Sequence, residues 1–302
     1  MAERTGKRLL AFGAGVDSTA LLASYLDPVG AAAASGTPYS RIVDTILGRR
    51  VDAVVFADPG SEFPETYRNV ETAARLCGEA GIRFERVVLR DRHGRRLTIQ
   101  DWLLSNGTIP VMAGGSHVCS LKFKGQVMQR FAAAAFPDAP IEWLVCIEAD
   151  ETRRTSRFRP DRSARQTFAY PLQEIGWDRD TCARVIAACW PHPVRKSSCT
   201  FCPFMQEHEI LEVATDHPEH WALVEQIEER FAATSAVKHA RWLEAGRPRT
   251  KRGHAPVGMW SRNSWAEGRR LFVKQIDGRQ LSADEWFARA VDNIDSPEQE
   301  AA

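Results

Sequence analysis

No apolar run in this sequence approaches the roughly 18 residues that a membrane-spanning helix needs. The start, Met1-Ala2-Glu3-Arg4-Thr5-Gly6-Lys7-Arg8, leads straight into a strand pattern with no cleavable apolar region, so a cytoplasmic chain with no membrane partner is the expectation. Charge of either sign is not in excess. The net value of +1 over 302 residues gives no global reason to bind nucleic acid and leaves only a local patch as a route. The cysteines number seven, an odd count that argues against a disulfide framework and for metal binding or thiol chemistry. Two of them, Cys77 and Cys182, stand at apolar helical positions and read as packed thiols.

What is present is a core of ordinary size, with 44% hydrophobic residues. Strand patterns at Leu9–Phe12, Ala53–Ala57, Phe84–Leu89 and Ile141–Ile147 alternate with helical patterns, the signature of a parallel sheet covered on both faces. Helices are predicted near Ser40–Gly48, from Pro64, over Ile99–Leu104 and over Lys122–Phe136, and the stretch from Pro28 through the alanine run to Gly36 reads as a loop. Beyond about residue 205 the strand patterns stop and Trp221–Phe231 has helical spacing. The expected organisation is therefore an α/β domain, doubly wound and Rossmann-like, over 1–204, followed by a mainly helical region over 205–302.

Chemistry concentrates where strands end. After the first strand, Phe12-Gly13-Ala14-Gly15-Val16-Asp17-Ser18-Thr19 combines a turn of small residues with a helix start. Such a turn can aim backbone N–H groups at an anion while the helix dipole favours negative charge, and Ser18 and Thr19 add hydroxyls. It is equally the form of an ordinary tight turn with Asp17 as helix cap. After the second strand, Asp58-Pro59-Gly60-Ser61-Glu62-Phe63-Pro64 places a carboxylate to accept from a base or ribose, a glycine to turn the chain and a proline to start a helix. In Gly114-Gly115-Ser116-His117-Val118-Cys119-Ser120-Leu121-Lys122-Phe123-Lys124 a cysteine begins a helix beside two lysines, conditions that favour thiolate. Glu148-Ala149-Asp150-Glu151-Thr152-Arg153-Arg154 follows the fourth strand as a charged turn.

The strongest local signal is Cys199-Thr200-Phe201-Cys202-Pro203, in which two cysteines at this spacing converge on one metal and proline stops the turn from winding on. Cys189 and His208 extend it to Cys-x9-Cys-x2-Cys-x5-His. His208 is also compatible with a solvated helix position. The set suits either a closed zinc site or a [4Fe–4S] cluster that leaves one iron open. Near the end, Arg247–His254 and Trp260–Arg270 interleave cations with aromatics, as a sequence-tolerant nucleic-acid contact or a solvated tail would.

These motifs, in order, resemble those of the PP-loop ATP pyrophosphatase superfamily, and in particular its phosphoadenosine phosphosulfate (PAPS) reductase-like branch. The first is similar to Ser-Gly-Gly-x-Asp-Ser, with Gly13 in place of Ser and Ala14 in place of Gly. The second is similar to Asp-Thr-Gly-x-x-Phe-Pro-Glu-Thr-Tyr, with Pro59 for Thr. Cys119 and Lys124 match a Cys-x-x-x-x-Lys element, and Asp150, Glu151 and Arg154 match Gly-Ile-x-Ala-Asp-Glu-x-x-Arg, with Cys146 replacing its glycine. The Cys189, Cys199, Cys202 and His208 spacing is similar to the Cys-x8-Cys-x2-Cys-x5-Cys of DNA phosphorothioation ATP pyrophosphatases, which carry an iron–sulfur cluster.

The resemblance implies ATP with Mg²⁺ as substrate, held by Phe12, Gly13, Ala14, Gly15, Asp17, Ser18, Thr19, Asp58, Gly60, Asp150, Glu151 and Arg154. It implies catalytic work for Asp17, Ser18, Cys119 and Lys124, and a [4Fe–4S] cluster or zinc on Cys119, Cys189, Cys199, Cys202 and His208. Adenylation of an acceptor followed by sulfur transfer is the implied reaction. A sulfur donor such as a cysteine desulfurase, a nucleic-acid acceptor and a homodimer are the implied partners. The Glu-Cys-Gly-Leu-His element that delivers the reducing thiol in PAPS reductases is absent from the sequence, which argues against reductase activity. A zinc-containing PP-loop ligase and a non-catalytic nucleotide-binding accessory protein remain the other readings.

Overall fold

The computed structural model describes residues 6–110, 117–152, 165–246 and 265–295. In chain order the helices are α1 (Val16–Leu26), α2 (Pro28–Ser35), α3 (Tyr39–Ile42), α4 (Pro64–Glu79), α5 (Ile99–Asn106), α6 (Gln126–Ala135), α7 (Pro171–Ile175), α8 (Arg179–Cys189), α9 (Glu207–Asp216), α10 (Pro218–Glu244) and α11 (Ala283–Asp295). The strands are β1 (Lys7–Ala11), β2 (Ala53–Asp58), β3 (Phe84–Val88), β4 (Ile141–Val145), β5 (Gln166–Ala169) and a short pair, β6 (Gln275–Ile276) and β7 (Arg279–Gln280). Contacts divide the chain into two units. The first runs to Asp58 and resumes over Glu62–Leu89 and Lys124–Ser198; the second takes Pro59–Ser61, Arg90–Phe123 and the chain from Cys199 on. The sequence reading placed a single boundary after residue 204, whereas the contacts divide the chain at several points.

In the first unit five strands pair in parallel in the order β3-β2-β1-β4-β5. Side chains alternate across it: Leu10, Phe12, Val54, Phe56 and Leu144 join one apolar cluster with α1, α4 and α8, while Leu9, Val55 and Trp143 join another with Ala132 of α6. Burial on both faces is why β2 is apolar at nearly every position. The strand order reverses between β1 and β4. In open sheets of this kind the crevice beyond the carboxyl ends of the strands at the reversal is where ligands bind.

Two expectations change. The alanine-rich stretch is helix α2, because Asp27 caps it by accepting from the Gly30 N–H, Pro28 fits the first turn and Gly36 ends it at φ 68°. The expected helix near Ser40–Gly48 is α3 followed by a π-helical turn over Val43–Leu47. Strand β5 was not expected.

The second unit is built on α10, whose Trp221 stacks on Phe272 at 6.3 Å and lies 6.3 Å from Phe287 of α11. Glu228 of α10 is buried and accepts from the backbone N–H groups of Leu271 and Ala283, so one carboxylate ties down the start of α11. Gly107 closes α5 at φ 55°, where a β-carbon would lie 2.0 Å from Thr234 Oγ1 of α10. Among the described residues no helix is long and apolar enough to cross a membrane.

Candidate functional site

The turn after β1 is the centre of the first unit's candidate site. Ala14 stands at φ 57°, a left-handed conformation that costs a residue with a β-carbon about 1–2 kcal/mol. Asn69 of α4 holds it there: fully buried, it donates to Ala14 O at 2.9 Å and Thr19 Oγ1 at 2.8 Å, and accepts from Trp190 Nε1 at 2.8 Å. Ser18 braces the turn as well, accepting from Gly13 N–H and donating to Gly15 O, both at 3.2 Å. The hydroxyls of Ser18 and Thr19 thus shape the loop from within. Phe12 is a core residue, its ring edge-on to Phe84 at 6.0 Å. The loop leads into the first turn of α1, which begins at Val16, and a helix start of this kind can receive an anion.

Across the reversal, Glu148 lies just beyond β4. The loop that carries it is pinned where Ala149 N–H donates to Trp177 O at 2.9 Å and Gln173 Nε2 donates to Glu148 O at 3.2 Å. Arg179, at the start of α8, joins both sides: its guanidinium is 3.0 Å from Asp17 Oδ1 and 3.0 Å from Glu148 Oε2. Both carboxylates are nearly buried, with side chains 12% and 10% exposed. Two carboxylates against one guanidinium leave a net negative charge at the crevice, which suits a divalent cation carried in with a polyphosphate. Asp17 stands out in the sequence and Glu148 only as part of a charged turn, while Arg179, Asn69 and Ser197 carry no signal there. Asp150 is exposed and Glu151 half-buried, and Arg154 lies outside the described residues.

Ser197 comes to the loop from the chain after α8. A β-carbon on Gly15 would lie 3.0 Å from Ser197 Oγ and 3.2 Å from Ser197 N, so a side chain here would have to push Ser197 aside by a few tenths of an ångström. Ser198 O next accepts from Phe63 N–H at 3.2 Å. Asp58 is fully buried with both oxygens engaged, one by Tyr67 Oη at 2.9 Å and the other by Arg86 at 2.8 and 3.0 Å. Its carboxylate therefore fixes the end of β2 and is not presented to a base. Lys124 meets the fully buried Glu62 at 2.7 Å, so this ammonium is held beside the loop after β2.

Burial explains the quiet cysteines. Cys77 and Cys182 are fully buried, and desolvation pushes both thiols up to about 12, with Asp17 and Glu148 adding to the effect at Cys182. Cys146 is raised well above its ordinary value by burial and donates toward Ala11 O at 3.9 Å. Cys189 is also raised, by desolvation first and then by Asp27, with which it hydrogen-bonds. None of the seven cysteines is in a disulfide.

In the second unit Cys119 opens a π-helical turn, Cys119–Gly125, and is half-exposed. Cys199 and Cys202 bracket a turn in which Cys202 N–H donates to Cys199 O at 3.0 Å, and Thr200 N–H donates to Ser61 O at 3.1 Å. The two cysteine segments meet: the ring of His117, two residues before Cys119, packs edge-on to Phe204, two residues after Cys202, at 4.5 Å. Gly60 turns the chain at φ +91°, with Thr98 so close that a β-carbon would lie 2.5 Å from its Cγ2. His208 is exposed on the first turn of α9. Among the described residues no three of the named cysteines and His208 bring ligand atoms within 4.8 Å of one another. A single zinc ion needs that proximity; the cysteines of a [4Fe–4S] cluster bind different irons and stand further apart. No family model matches the chain, and no curated protein matches it.

Proposed function

We propose that the chain is an ATP pyrophosphatase-type enzyme of the PP-loop class. An oxygen of an acceptor attacks the α-phosphorus of ATP, pyrophosphate leaves, and sulfur from a donor then displaces AMP. The observation that carries this reading is the pairing of the Gly13–Gly15 turn with Glu148 on the two sides of the strand reversal, joined through Arg179. Anionic phosphates suit the start of α1. Asp17 and Glu148 would receive the accompanying Mg²⁺, with Arg179 as the positioning residue that keeps both carboxylates aimed at one point. Lys124, steadied by Glu62, supplies positive charge for the leaving pyrophosphate. Positioning and electrostatics of this kind are the main catalytic means available for transfer at phosphorus.

Cys119, Cys199 and Cys202 are the residues that would hold a [4Fe–4S] cluster, and the packing of His117 on Phe204 supports their grouping. When bound with three cysteines, such a cluster supplies an open iron for a sulfur ligand. A cytoplasmic location would keep these thiols reduced. The acceptor we favour is nucleic acid; the basic and aromatic stretch Arg247–His254, with Trp260 to Ser264, lies outside the described residues.

The test is anaerobic purification with iron and sulfide analysis, followed by assay for AMP and pyrophosphate from ATP with single- and double-stranded DNA and RNA. Acceptor-dependent pyrophosphate release from a brown protein is the expected result. The runner-up reading, a nucleotide-binding accessory protein, is favoured by the Gly13 N–H being already taken by Ser18 and by the strained Ala14. Tight ATP binding without pyrophosphate release under every acceptor would establish that reading instead.

A further inference from the structure

The junction between α9 and α10 carries a group of side chains that the nucleotide and sulfur chemistry does not use. His217, Glu219 and His220 bring one ligand atom each to within 4.8 Å of one another. His220 Nε2 is 3.5 Å from Glu219 Oε1, and His217 Nε2 is 4.0 Å from Glu212 Oε1, contributed by α9. Two ligand atoms on one tetrahedral zinc, each bonded at about 2.0–2.1 Å, stand about 3.4 Å apart. Both nitrogen–oxygen pairs are therefore within a small side-chain adjustment of sharing an ion.

The backbone fixes the arrangement. His217 is the residue between α9 and α10, its N–H donating to Val213 O at 3.3 Å while its carbonyl accepts from His220 N–H and Trp221 N–H, both at 2.9 Å. Pro218 sets the first turn of α10, which brings His217 and His220 to the same side, with ring centroids 5.7 Å apart. The side chains of His217, His220 and Glu212 are 19%, 25% and 32% exposed, so packing already orders them in part, while Glu219, 68% exposed, is ordered by the ion itself.

We propose that His217, His220 and Glu219 form a binding site for a borderline transition-metal ion of the Zn²⁺ type, with Glu212 as fourth ligand or as the partner that orients His217. Imidazole nitrogens with a carboxylate oxygen select such ions over Mg²⁺ or Ca²⁺, which take oxygen ligands. Bound there, the ion clips the end of α9 to the start of α10. The site is chemically distinct from the cysteines, because it contains no sulfur.

The test uses the full chain carrying Cys199→Ser and Cys202→Ser, to remove thiolate binding at that turn, titrated with Zn²⁺ and separately with Co²⁺. One equivalent should bind, the Co²⁺ form should lack thiolate charge-transfer absorption, and Zn²⁺ should raise the melting temperature. His217→Ala with His220→Ala should abolish that equivalent, and Glu212→Gln should weaken it by about 10–100-fold, the effect usual for a group beside a ligand. Should the double alanine variant misfold, His220→Asn alone, which keeps the size and polarity of the side chain, must still lose the ion. No bound equivalent in the chain carrying Cys199→Ser and Cys202→Ser, or undiminished binding by a folded His220→Asn, overturns the proposal.

Discussion

Asn69 holds three groups in place with one amide, and its removal isolates all three. Ala14 O and Thr19 Oγ1 lose their donor and Trp190 Nε1 its acceptor, in a region closed to water. Each buried group left unsatisfied costs about 1–3 kcal/mol, so Asn69→Ala should lower unfolding free energy by about 3 kcal/mol or more in urea denaturation. A loss below about 1 kcal/mol would show that the loop does not depend on this amide. The Lys124–Glu62 pair allows a cleaner test. Lys124→Met strands a carboxylate whose side chain is fully buried, and should cost about 2 kcal/mol, less than the 3–5 of a wholly buried pair because Lys124 is 30% exposed. Adding Glu62→Gln should recover most of that loss, a coupling that a double-mutant cycle measures directly. Additive losses would mean that the pair does not interact.

Glu228 sets the behaviour of an element, because it joins α10 to the N-terminus of α11. Burial is the largest influence on this carboxyl and raises its pKa from the ordinary value of 4.5, against the lowering effect of the Leu271 and Ala283 N–H groups. A carboxyl raised in the folded state contributes stability that is fully present below its unfolded pKa and is lost as pH rises through the folded value. Glu228→Gln cannot ionise, and its amide would set a donor against one of two backbone donors, costing about 1–3 kcal/mol. The variant should therefore be less stable than the parent at pH 4.5, with the gap narrowing towards pH 7. Denaturant titrations at both pH values check this; a gap that widens with pH would mean the carboxylate is the favoured form.

The same scale shows what could be read from the sequence. Strand β2 was legible because a strand buried on both faces writes a continuous apolar run, β1, β3 and β4 because shorter apolar stretches stand between helical patterns, and α4 because Pro64 announces its first turn. Helix α2 was misread by giving weight to Pro28 and Gly30, although Asp27, Pro28 and Gly36 form a full set of caps around good helix formers. At the site, the glycine turn was legible as a motif. Arg179 and Asn69 were not, since an arginine opening a helix and an asparagine inside one have no local pattern that reveals a partner more than a hundred residues away. Asp58 shows the opposite error: a carboxylate at a strand end looks like a ligand contact until the fold supplies Arg86 and Tyr67.

At the scale of the whole molecule, the residues proposed for nucleotide chemistry and the three cysteines proposed for the cluster fall in different contact units, so under that proposal their losses should be separable. Gly15→Ala would force a methyl group against the Ser197 backbone nitrogen at 3.2 Å, and the loop must shift to relieve it. That variant should lose pyrophosphate release by about 10²-fold, the scale of a disturbed phosphate-stabilising group, while keeping its full iron and sulfide content. Cys199→Ser should do the reverse, losing colour and sulfur transfer while ATP–pyrophosphate exchange with the acceptor continues. Activity assays paired with metal analysis on each purified variant make the comparison. If Cys199→Ser abolishes exchange as well, with the circular dichroism spectrum unchanged, then adenylation depends on the cysteine turn itself.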